Sequence, residues 1–213
     1  MPPKPRTKAQ QADRRQLILD QTRRLAREAG WDAVTMRTVA QRTRLSAPSL
    51  YELFPSKAAL LAAVAREGFG ELAQSLASSD GDADLGPLHR CAVSYWRFAH
   101  DDPTLYDLMF HQRLELEFAT GKTPAALRAG FGVLKEVVTD AAREVAVELA
   151  DPETMTESWW ATMHGVVSLA LSGRVRRKPG HAEQLLGLVA DTFTAGLRAG
   201  RFDQPTPARG RSR

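Results

Sequence analysis

The amino-acid sequence predicts an all-α fold: a small N-terminal domain of three short helices, similar in layout to a homeodomain, followed by a larger helical bundle. Apolar residues recur three and four positions apart along most of the 213 residues, which places them on one face of an α-helix. No segment alternates strictly between apolar and polar residues, as a half-buried strand would. Prolines, glycines and hydroxyl residues separate the apolar runs, as expected at helix ends. About nine to ten helices are expected.

The first sixty residues contain clear signals for helix ends. The first helix is predicted to begin near Ala9 and to end at Gly30, which tolerates a positive φ. Three hydroxyl residues each precede an apolar run and are expected to cap helices that start one residue later: Thr35, Ser46 and Ser56. Pro48 lies in the first turn of the third helix, where a missing N–H is harmless. Pro55 ends that helix because the residue before proline avoids the α region.

Longer helices are predicted in the rest of the chain. Their expected ranges are 57–76, 87–99, 103–118, 124–150, 153–171 and 181–199. The Ser-, Asp- and Gly-rich residues 77–86 indicate a connection. The predicted organisation is a basic disordered arm (1–10), a small helical domain (11–60), a larger helical domain (61–200) and a disordered basic tail (201–213).

The net charge of +4 is unevenly distributed along the chain. Residues 1–60 carry twelve basic and five acidic side chains, whereas residues 61–173 carry eight basic and seventeen acidic ones. A basic segment (1–60) followed by an acidic one (61–173) suggests that a polyanion-binding domain is joined to a domain that does not contact the polyanion. An accidental asymmetry of a solvated surface is the alternative.

The sequence gives no signal for export or for a membrane. The basic first residues lack the apolar core of a signal peptide, and no apolar stretch approaches the ~20 residues that cross a bilayer. Cys91 is the single cysteine, so no disulfide framework is expected. We therefore expect a cytoplasmic protein.

Residues 35–54 have the mechanical requirements of a helix-turn-helix. Two short helices meet through residues 43–46, and Val39, Leu45 and Leu50 can form the small core between them. The second helix begins with small residues, so it can enter a major groove with its first turn near the base edges. A generic helical hairpin is the alternative, and periodicity alone barely separates the two.

Three sequence segments carry a family resemblance. Residues 30–40 (GWDAVTMRTVA), 45–51 (LSAPSLY) and 54–61 (FPSKAALL) together resemble the DNA-binding domain of the tetracycline-repressor (TetR) family, over about residues 16–64. That resemblance implies an all-helical homodimer whose C-terminal domain binds a small molecule and releases operator DNA. It also implies the residues at the DNA: Thr35, Met36, Arg37, Arg44, Ser46, Ala47, Pro48, Ser49, Tyr51 and Lys57. Among these, Thr35 and Arg37 would approach phosphate, and residues 46–49 would face bases and nearby phosphates. The Tyr51 hydroxyl and the Lys57 ammonium would contact the backbone of the duplex.

Three positions depart from the family pattern. After Tyr51 the family usually has a basic or polar residue and then a histidine, tyrosine or asparagine, whereas this chain has Glu52 and Leu53. Leu53 cannot bind a phosphate. Glu52 either accepts a hydrogen bond from a cytosine amine or is an ordinary surface carboxylate. Arg44 replaces a frequent glycine and adds a cation.

The basic side chains near the N-terminus allow two interpretations. They are Lys4, Arg6, Lys8, Arg14 and Arg15. Such an arm can lie along the duplex or enter a minor groove, or it can simply be a solubilising tail.

The C-terminal half is rich in aromatic residues at helical spacing. Residues 160–165 (WATMHG), 95–99 (YWRFA) and 102–110 (DPTLYDLMF) resemble the tryptophan-histidine-glycine (WHG) subfamily of these regulators. Core packing accounts for most of these side chains, and His164 can be a structural histidine. A pocket for an apolar or aromatic ligand between helices is the functional interpretation. Its predicted lining is Tyr95, Trp96, Phe110, Phe131, Trp160 and His164.

The last two helices are the predicted dimer surface. Trp159, Met163, Val166 and Ala170 form one stripe, and Leu186, Val189, Phe193 and Leu197 form the other. Paired with their symmetry mates, these helices would make a four-helix bundle. The alternative is that both stripes are buried inside one chain.

Catalysis, metal binding and cofactor binding are not expected. The five histidines form no i, i+4 pair, and no glycine-rich phosphate loop is present. Cys91 lies among apolar residues, where an inert buried thiol is favoured over a nucleophile. The predicted partners are double-stranded operator DNA, a second copy of the chain and a small-molecule effector. A DNA-binding or interaction protein without ligand response, and an activator, remain the open alternatives to a ligand-released repressor.

Overall fold

The computed structural model describes residues 7–78, 85–114, 116, 121, 123–176 and 178–201. Within these ranges it contains nine α-helices and no strand, which confirms the predicted all-α fold. The helices are α1 (Lys8–Ala29), α2 (Met36–Thr43), α3 (Ala47–Leu53), α4 (Lys57–Ala77), α5 (Pro87–Asp101), α6 (Pro103–Phe110), α7 (Ala125–Glu144), α8 (Pro152–Leu171) and α9 (His181–Arg198). A 3₁₀ turn at Trp31–Ala33 follows α1.

The helices fold as two compact units. The first unit takes its described residues from Met1–Phe69 and Asp102–Pro124, and the second takes its described residues from Gly70–Asp101 and Ala125–Arg213. The first unit therefore contains α1 to α3, the start of α4 and the whole of α6. The predicted boundary at residue 60 differs from this division, because it assigned α4 from residue 61 onward and the whole of α6 to the C-terminal domain.

A close approach between helices explains why α6 belongs to the first unit. A Cβ atom built on Gly68 of α4 would lie 2.6 Å from the Sδ atom of Met109 and 3.0 Å from a methyl group of Leu105 on α6. A larger residue at this position would force the Met109 and Leu105 side chains to shift. Phe69, the next residue of α4, meets Phe110 edge to face at 5.4 Å between ring centres.

The N-terminal helix begins earlier than predicted. The Thr7 hydroxyl accepts the Gln10 N–H at 3.3 Å, and the Gln10 side chain accepts the Thr7 N–H at 3.1 Å. This capping box satisfies two amide groups at the helix start and places residues 8–10 in α1, although they were predicted to belong to a disordered arm. Residues 1–6 and 202–213, the rest of the predicted arm and nearly all of the predicted tail, lie outside the described residues.

Two helices of the C-terminal half are shorter than predicted. The helix predicted to reach residue 150 ends at Glu144, because Ala146 adopts a left-handed conformation (φ 56°). The Val147 N–H then turns back to the Ala142 carbonyl at 2.9 Å. The helix predicted to reach residue 118 ends at Phe110. Its end is closed by Asp107, whose carbonyl accepts the N–H groups of His111 and Gln112.

Each unit has its own apolar core. In the first unit the fully enclosed side chains include Ile18, Leu19, Val34, Val39, Leu50, Phe54, Leu60, Leu105 and Leu108. In the second they include Leu88, Cys91, Tyr95, Val138, Trp159, Met163, Val167, Leu186 and Ala190. Among the residues described, no helix combines the length and the apolar character needed to cross a bilayer.

Candidate functional site

The two helices of the helix-turn-helix begin at side-chain caps. The Thr38 N–H donates to the Thr35 hydroxyl at 3.1 Å, and the Thr35 N–H donates to the Thr38 hydroxyl at 2.9 Å. At the start of α3, the Ser46 hydroxyl accepts the Ser49 N–H at 3.4 Å. Both predicted caps are therefore present. Thr35 and Ser46 remain exposed, so the same hydroxyls that start the helices are also accessible to a phosphate.

The turn between these helices depends on Arg44. Its backbone is left-handed (φ 55°, ψ 33°), and its N–H reaches the carbonyls of Ala40 and Gln41. The Leu45 N–H also donates to the Ala40 carbonyl, at 3.0 Å. A non-glycine residue pays for this conformation by roughly 1–2 kcal/mol. The exposed Arg44 side chain thus sits at a position that glycine would occupy with less strain.

The predicted DNA-contacting residues lie together in the first unit and face solvent to different degrees. Thr35, Arg37, Arg44, Ser46, Ala47, Pro48 and Tyr51 are exposed, and Met36, Ser49 and Lys57 are partly exposed. Tyr51, with 48 % of its surface accessible, is one of the most exposed large hydrophobic residues described. The Lys57 ammonium donates a hydrogen bond to the Trp31 carbonyl at 3.2 Å.

Two arginines of the predicted N-terminal arm lie on α1 instead. Arg14 and Arg15 are both partly buried there. The Arg15 guanidinium lies 4.4 Å from the centre of the Phe54 ring, and its Nη1 atom is 3.5 Å from the Leu53 carbonyl oxygen. Sequence reasoning missed this contact because the two ends are 38 positions apart, and a basic residue near a terminus resembles a DNA-binding arm.

A second arginine links α2 to α1. Arg42 donates to the Glu28 carboxylate at 2.5 Å and to the Gln21 side chain at 3.3 Å. The hydrogen bond from Arg42 lowers the pKa of Glu28 and outweighs the opposing effect of desolvation. The pair is exposed to water, so we assign it an orienting effect with little net contribution to stability.

Asp102 joins the start of α6 to α1. Its carboxylate accepts hydrogen bonds from Arg27 at 2.6 Å, from the Leu105 N–H at 3.1 Å and from Arg23 at 3.4 Å. Burial opposes ionisation of Asp102, but these donors outweigh it and lower the pKa of the carboxyl group. The Trp31 indole adds a further link, donating to the Thr104 carbonyl at 2.9 Å.

An open cavity of about 510 Å³ lies beside this junction, within the first unit. It is lined by Ala26, Arg27, Gly30, Trp31, Asp32, Pro103, Thr104, Asp107 and Gln112. None of the six predicted pocket residues is among them.

Three of the predicted pocket residues meet in the second unit. The Trp160 indole donates to the Tyr95 hydroxyl at 3.3 Å, and that hydroxyl is also 3.3 Å from Nδ1 of His164. Nε2 of His164 is in turn 3.3 Å from the Ser168 hydroxyl. We call these four residues the Tyr95 cluster. Tyr95 is buried and the other three are partly exposed.

The other predicted pocket residues do not join the Tyr95 cluster in the contacts described. Trp96 stacks on His100 at 5.1 Å between ring centres. Phe131 is partly exposed on α7. Phe110 belongs to the first unit, where it packs against Tyr106 at 4.7 Å. Its predicted place in the ligand pocket stays a prediction.

Half of the predicted dimer surface is buried within a single chain. Trp159, Met163, Leu186 and Leu197 have at most 1 % of their surface accessible. They cannot contact a partner, so the dimer prediction is wrong for these four, and the alternative of burial in one chain is correct for them. Trp159 meets Phe193 edge to face at 5.1 Å. Val166, Ala170, Val189 and Phe193 are partly exposed.

Cys91 shows no sign of a reactive thiol. It is completely buried, and burial raises the pKa of the thiol to about 12. A thiol with this pKa is a poor nucleophile at neutral pH. Within the described ranges, no three His, Cys, Asp or Glu side chains are grouped as metal ligands would be.

Two family profiles match the chain. Residues 18–64 match the profile described as bacterial regulatory proteins of the tetR family, and residues 88–193 match a tetracyclin repressor-like C-terminal domain. These matches cover the helix-turn-helix and most of the second unit. Membership of the WHG subfamily stays a prediction.

Individual proteins agree with the profiles. The HTH-type transcriptional repressor KstR of Rhodococcus jostii is 50 % identical over 99 residues, which are 46 % of this chain and 47 % of that repressor. The chain thus spans about half the length of this curated relative. KstR of Mycolicibacterium smegmatis is 47 % identical over 58 residues, 27 % of this chain and 28 % of that protein.

Solved structures share the fold over nearly the whole chain. A protein of unknown function from Rhodococcus sp. RHA1 superposes with a TM-score of 0.73 at 24 % identity, covering 87 % of this chain and 95 % of that one. RolR in complex with resorcinol gives a TM-score of 0.60 at 17 % identity, covering 94 % of this chain and 98 % of RolR. At these identities the likeness establishes the fold alone.

Proposed function

The chain belongs to the TetR family of bacterial regulatory proteins, and from this premise we propose that it is a transcriptional repressor that leaves its operator when a small molecule binds. The observation that carries the DNA-binding part is the exposed surface formed by α2, the Arg44 turn and α3. On it, two arginines and several hydroxyl groups surround a helix that begins with Ala47 and Pro48. Small residues allow a helix to lie deep in the major groove, and the cations and hydroxyls around it suit phosphate.

Each residue type on this surface has a separate role at the duplex. Arg37 and Arg44 neutralise phosphates, and the Thr35 and Tyr51 hydroxyls donate hydrogen bonds to the backbone. Ser46 and Ser49 lie at the start of α3, where side chains reach base edges. Phosphate contacts position the protein, and base contacts select the sequence.

The test of this function is DNA binding by the full chain across a series of salt concentrations. The duplex is selected from a random pool or taken from the region upstream of the gene. We expect specific binding that weakens steeply with salt. Arg37→Ala should reduce the slope of log affinity against log salt by about 0.9, as expected for one lost phosphate contact. Arg24→Ala, which removes an exposed arginine of α1, is the matched control and should leave the slope unchanged. A folded protein that binds no duplex at low salt would refute the proposal.

The repressor acts as a homodimer in this proposal, through the outer faces of α8 and α9. Leu169 and Leu188, with 43 % and 57 % of their surfaces accessible, are the most exposed large apolar residues described in the second unit. Space is open beyond Gly165 and Gly187 on the same helices, so helices of a second copy can approach closely. The two DNA-binding domains of the dimer then bind half-sites on one duplex that are about 34–36 Å apart, or a multiple of that distance.

Sedimentation measurements test the dimer. The double variant L169E/L188E should sediment as a monomer because like charges would face each other across a two-fold axis. Leu17→Glu is the matched control, since Leu17 on α1 has a comparable 44 % of its surface accessible, and it should stay dimeric. A double variant that stays dimeric would place the interface elsewhere.

The Tyr95 cluster is our proposed polar end of the effector site. Small-molecule sites are largely apolar and contain a few polar groups that orient the ligand, and this cluster is a group of hydroxyl, indole and imidazole donors and acceptors in an apolar bundle. The fold accommodates an aromatic ligand in RolR, where resorcinol is bound. We propose an apolar or aromatic effector that bears a hydrogen-bonding group.

A release assay tests this assignment. A panel of aromatic and apolar compounds is screened for those that lower the affinity of the wild-type chain for its duplex. His164→Ala should then shift the concentration of effector needed for release. If His164→Ala lowers stability and leaves that concentration unchanged, His164 is structural and the effector site lies elsewhere. If no compound in a broad panel acts, the ligand-independent alternative is favoured.

No catalytic role is proposed. A regulator of this family binds DNA and a ligand without converting either, and the functional groups described above suit binding.

A further inference from the structure

The two helices of the helix-turn-helix end in different ways. At the end of α2, the left-handed Arg44 returns its N–H to the helix carbonyls. At the end of α3, Phe54 is extended (φ −137°, ψ 100°) and donates its N–H to the Leu50 carbonyl at 2.9 Å. Pro55 follows and has no N–H to donate. The last carbonyls of a helix need hydrogen-bond donors from outside the helix. Because Phe54 is extended and Pro55 has no N–H, the residues that follow α3 supply few such donors.

Arg15 on α1 supplies such a partner to α3. Its Nη1 atom lies 3.5 Å from the carbonyl oxygen of Leu53, the last residue of α3. Its guanidinium lies 4.4 Å from the centre of the Phe54 ring. That ring is 99 % buried, so the arginine rests on a side chain that is fixed in the core. A cation at a helix C-terminus and a cation over an aromatic ring are both favourable.

We propose that Arg15 is a positioning residue for the DNA-recognition helix α3, and that it acts without contacting DNA. The inference rests on the proposed DNA-binding function. Arg15 holds the C-terminal end of α3 against α1, and Tyr51 lies two residues before that end. If the C-terminal end of α3 rotates or frays, Tyr51 is displaced together with Ser46 and Ser49, the residues at the start of α3 that reach base edges. The basic side chain thus acts within the protein and sets the angle at which α3 enters the groove.

A charge-conserving substitution separates this role from a phosphate contact. A lysine keeps the charge but lacks the planar group that stacks on a ring. We expect Arg15→Lys and Arg15→Ala to lose similar affinity for a duplex selected by the wild-type chain, about tenfold, which corresponds to ~1.4 kcal/mol. Their affinity for random duplex and their salt slopes should remain at the wild-type values. Arg24→Ala, which removes an exposed arginine of the same helix, should behave like wild type in every assay.

The measurements use full-length variants at a temperature where thermal unfolding shows each to be folded. The proposal is overturned if Arg15→Lys binds like wild type while Arg15→Ala loses about 0.9 of salt slope, because that pattern identifies a phosphate contact. It is also overturned if neither variant changes the ratio of specific to random affinity.

A measurement without DNA keeps the test independent of the proposed function. Hydrogen exchange of the amides at residues 50–54 should be faster in Arg15→Ala than in wild type, and unchanged in Arg24→Ala. If the wild-type chain selects no duplex, the proposed function fails. The exchange measurement alone then shows whether Arg15 stabilises the C-terminal end of α3. Unchanged exchange in Arg15→Ala would then overturn the positioning role.

Discussion

The helix-turn-helix and the last two helices differ in how directly the sequence indicates which residues face outward. Between Thr35 and Lys57, all ten residues predicted to meet DNA are at least partly exposed. On α8 and α9, four of the eight residues predicted to meet a second chain are buried in their own unit. The same kind of reasoning therefore placed surface residues correctly in one region and only in part in the other.

The difference follows from the distance over which each surface is built. In the helix-turn-helix, caps and a single turn within about twenty residues fix both the helices and their outward faces. On α8 and α9, apolar residues cover more than one side of each helix, and periodicity shows that a stripe is buried without showing what covers it. The choice between the chain's own core and a partner depends on helices far away in the sequence.

The largest expected effect in this comparison comes from Trp159→Ala. This indole is fully buried and packs on Phe193, so its removal leaves a cavity that should cost about 3–5 kcal/mol of unfolding free energy. Chemical denaturation at one fixed protein concentration measures the loss. Leu17→Ala is the control, because its side chain on α1 is exposed and lies outside the proposed dimer surface, so it should change stability by less than about 0.5 kcal/mol. A Trp159→Ala variant that keeps its stability and only dissociates would restore the original dimer prediction.

A smaller effect is expected at the junction of α1 and α6. Asp102→Asn removes the charge that pairs with Arg23 and Arg27 and should cost about 1–3 kcal/mol. Because the folded protein lowers the pKa of Asp102, this stabilisation is complete above the unfolded pKa of about 3.9 and disappears as the pH falls through the lower folded value. The stability difference between variant and wild type should therefore be constant near neutral pH and vanish in acid. A difference that persists at low pH would mean that the asparagine perturbs packing instead.

The Asp102 contacts could not be predicted from the sequence, unlike the local features of the fold. The helix class, the caps at Thr35 and Ser46 and the composition of the DNA surface all follow from residues within one turn of each other. The links from Asp102 to Arg23 and Arg27 span 75 positions or more, and neither charge nor periodicity identifies such partners. The same holds for Arg15 and Phe54, whose contact depends on how α1 crosses the end of α3. Gly68 did carry a signal, since a glycine inside a helix often marks a close approach, but its partner on α6 could not be named.

Arg44→Gly tests the helix-turn-helix, because it separates the backbone strain at this position from the contribution of the side chain to DNA binding. Glycine adopts a positive φ without a steric penalty but costs more entropy on folding, so we expect a net gain of about 0.5–1 kcal/mol in stability. The same change removes a cation from the DNA surface and should lower the salt slope of binding by about 0.9. Thermal unfolding and a salt series measure the two effects. A glycine variant that gains stability and binds DNA with the wild-type slope would show that Arg44 contributes no phosphate contact.

The smallest effect is expected at Glu52. The sequence predicts that this residue is exposed on the helix-turn-helix, but it does not predict whether the carboxylate contacts a base. The side chain is exposed one residue after Tyr51, where a carboxylate faces a polyanion. If it is an ordinary surface group, Glu52→Gln removes a weak repulsion and should raise affinity about two- to threefold for every duplex, since screened surface charges interact weakly. If it accepts a hydrogen bond from a cytosine amine, the same variant should lose affinity for the selected duplex and relax the preference at one base pair. Binding to the selected duplex and to single-base variants of it distinguishes these outcomes, and we expect the uniform gain, because exposed carboxylates are mostly solvated.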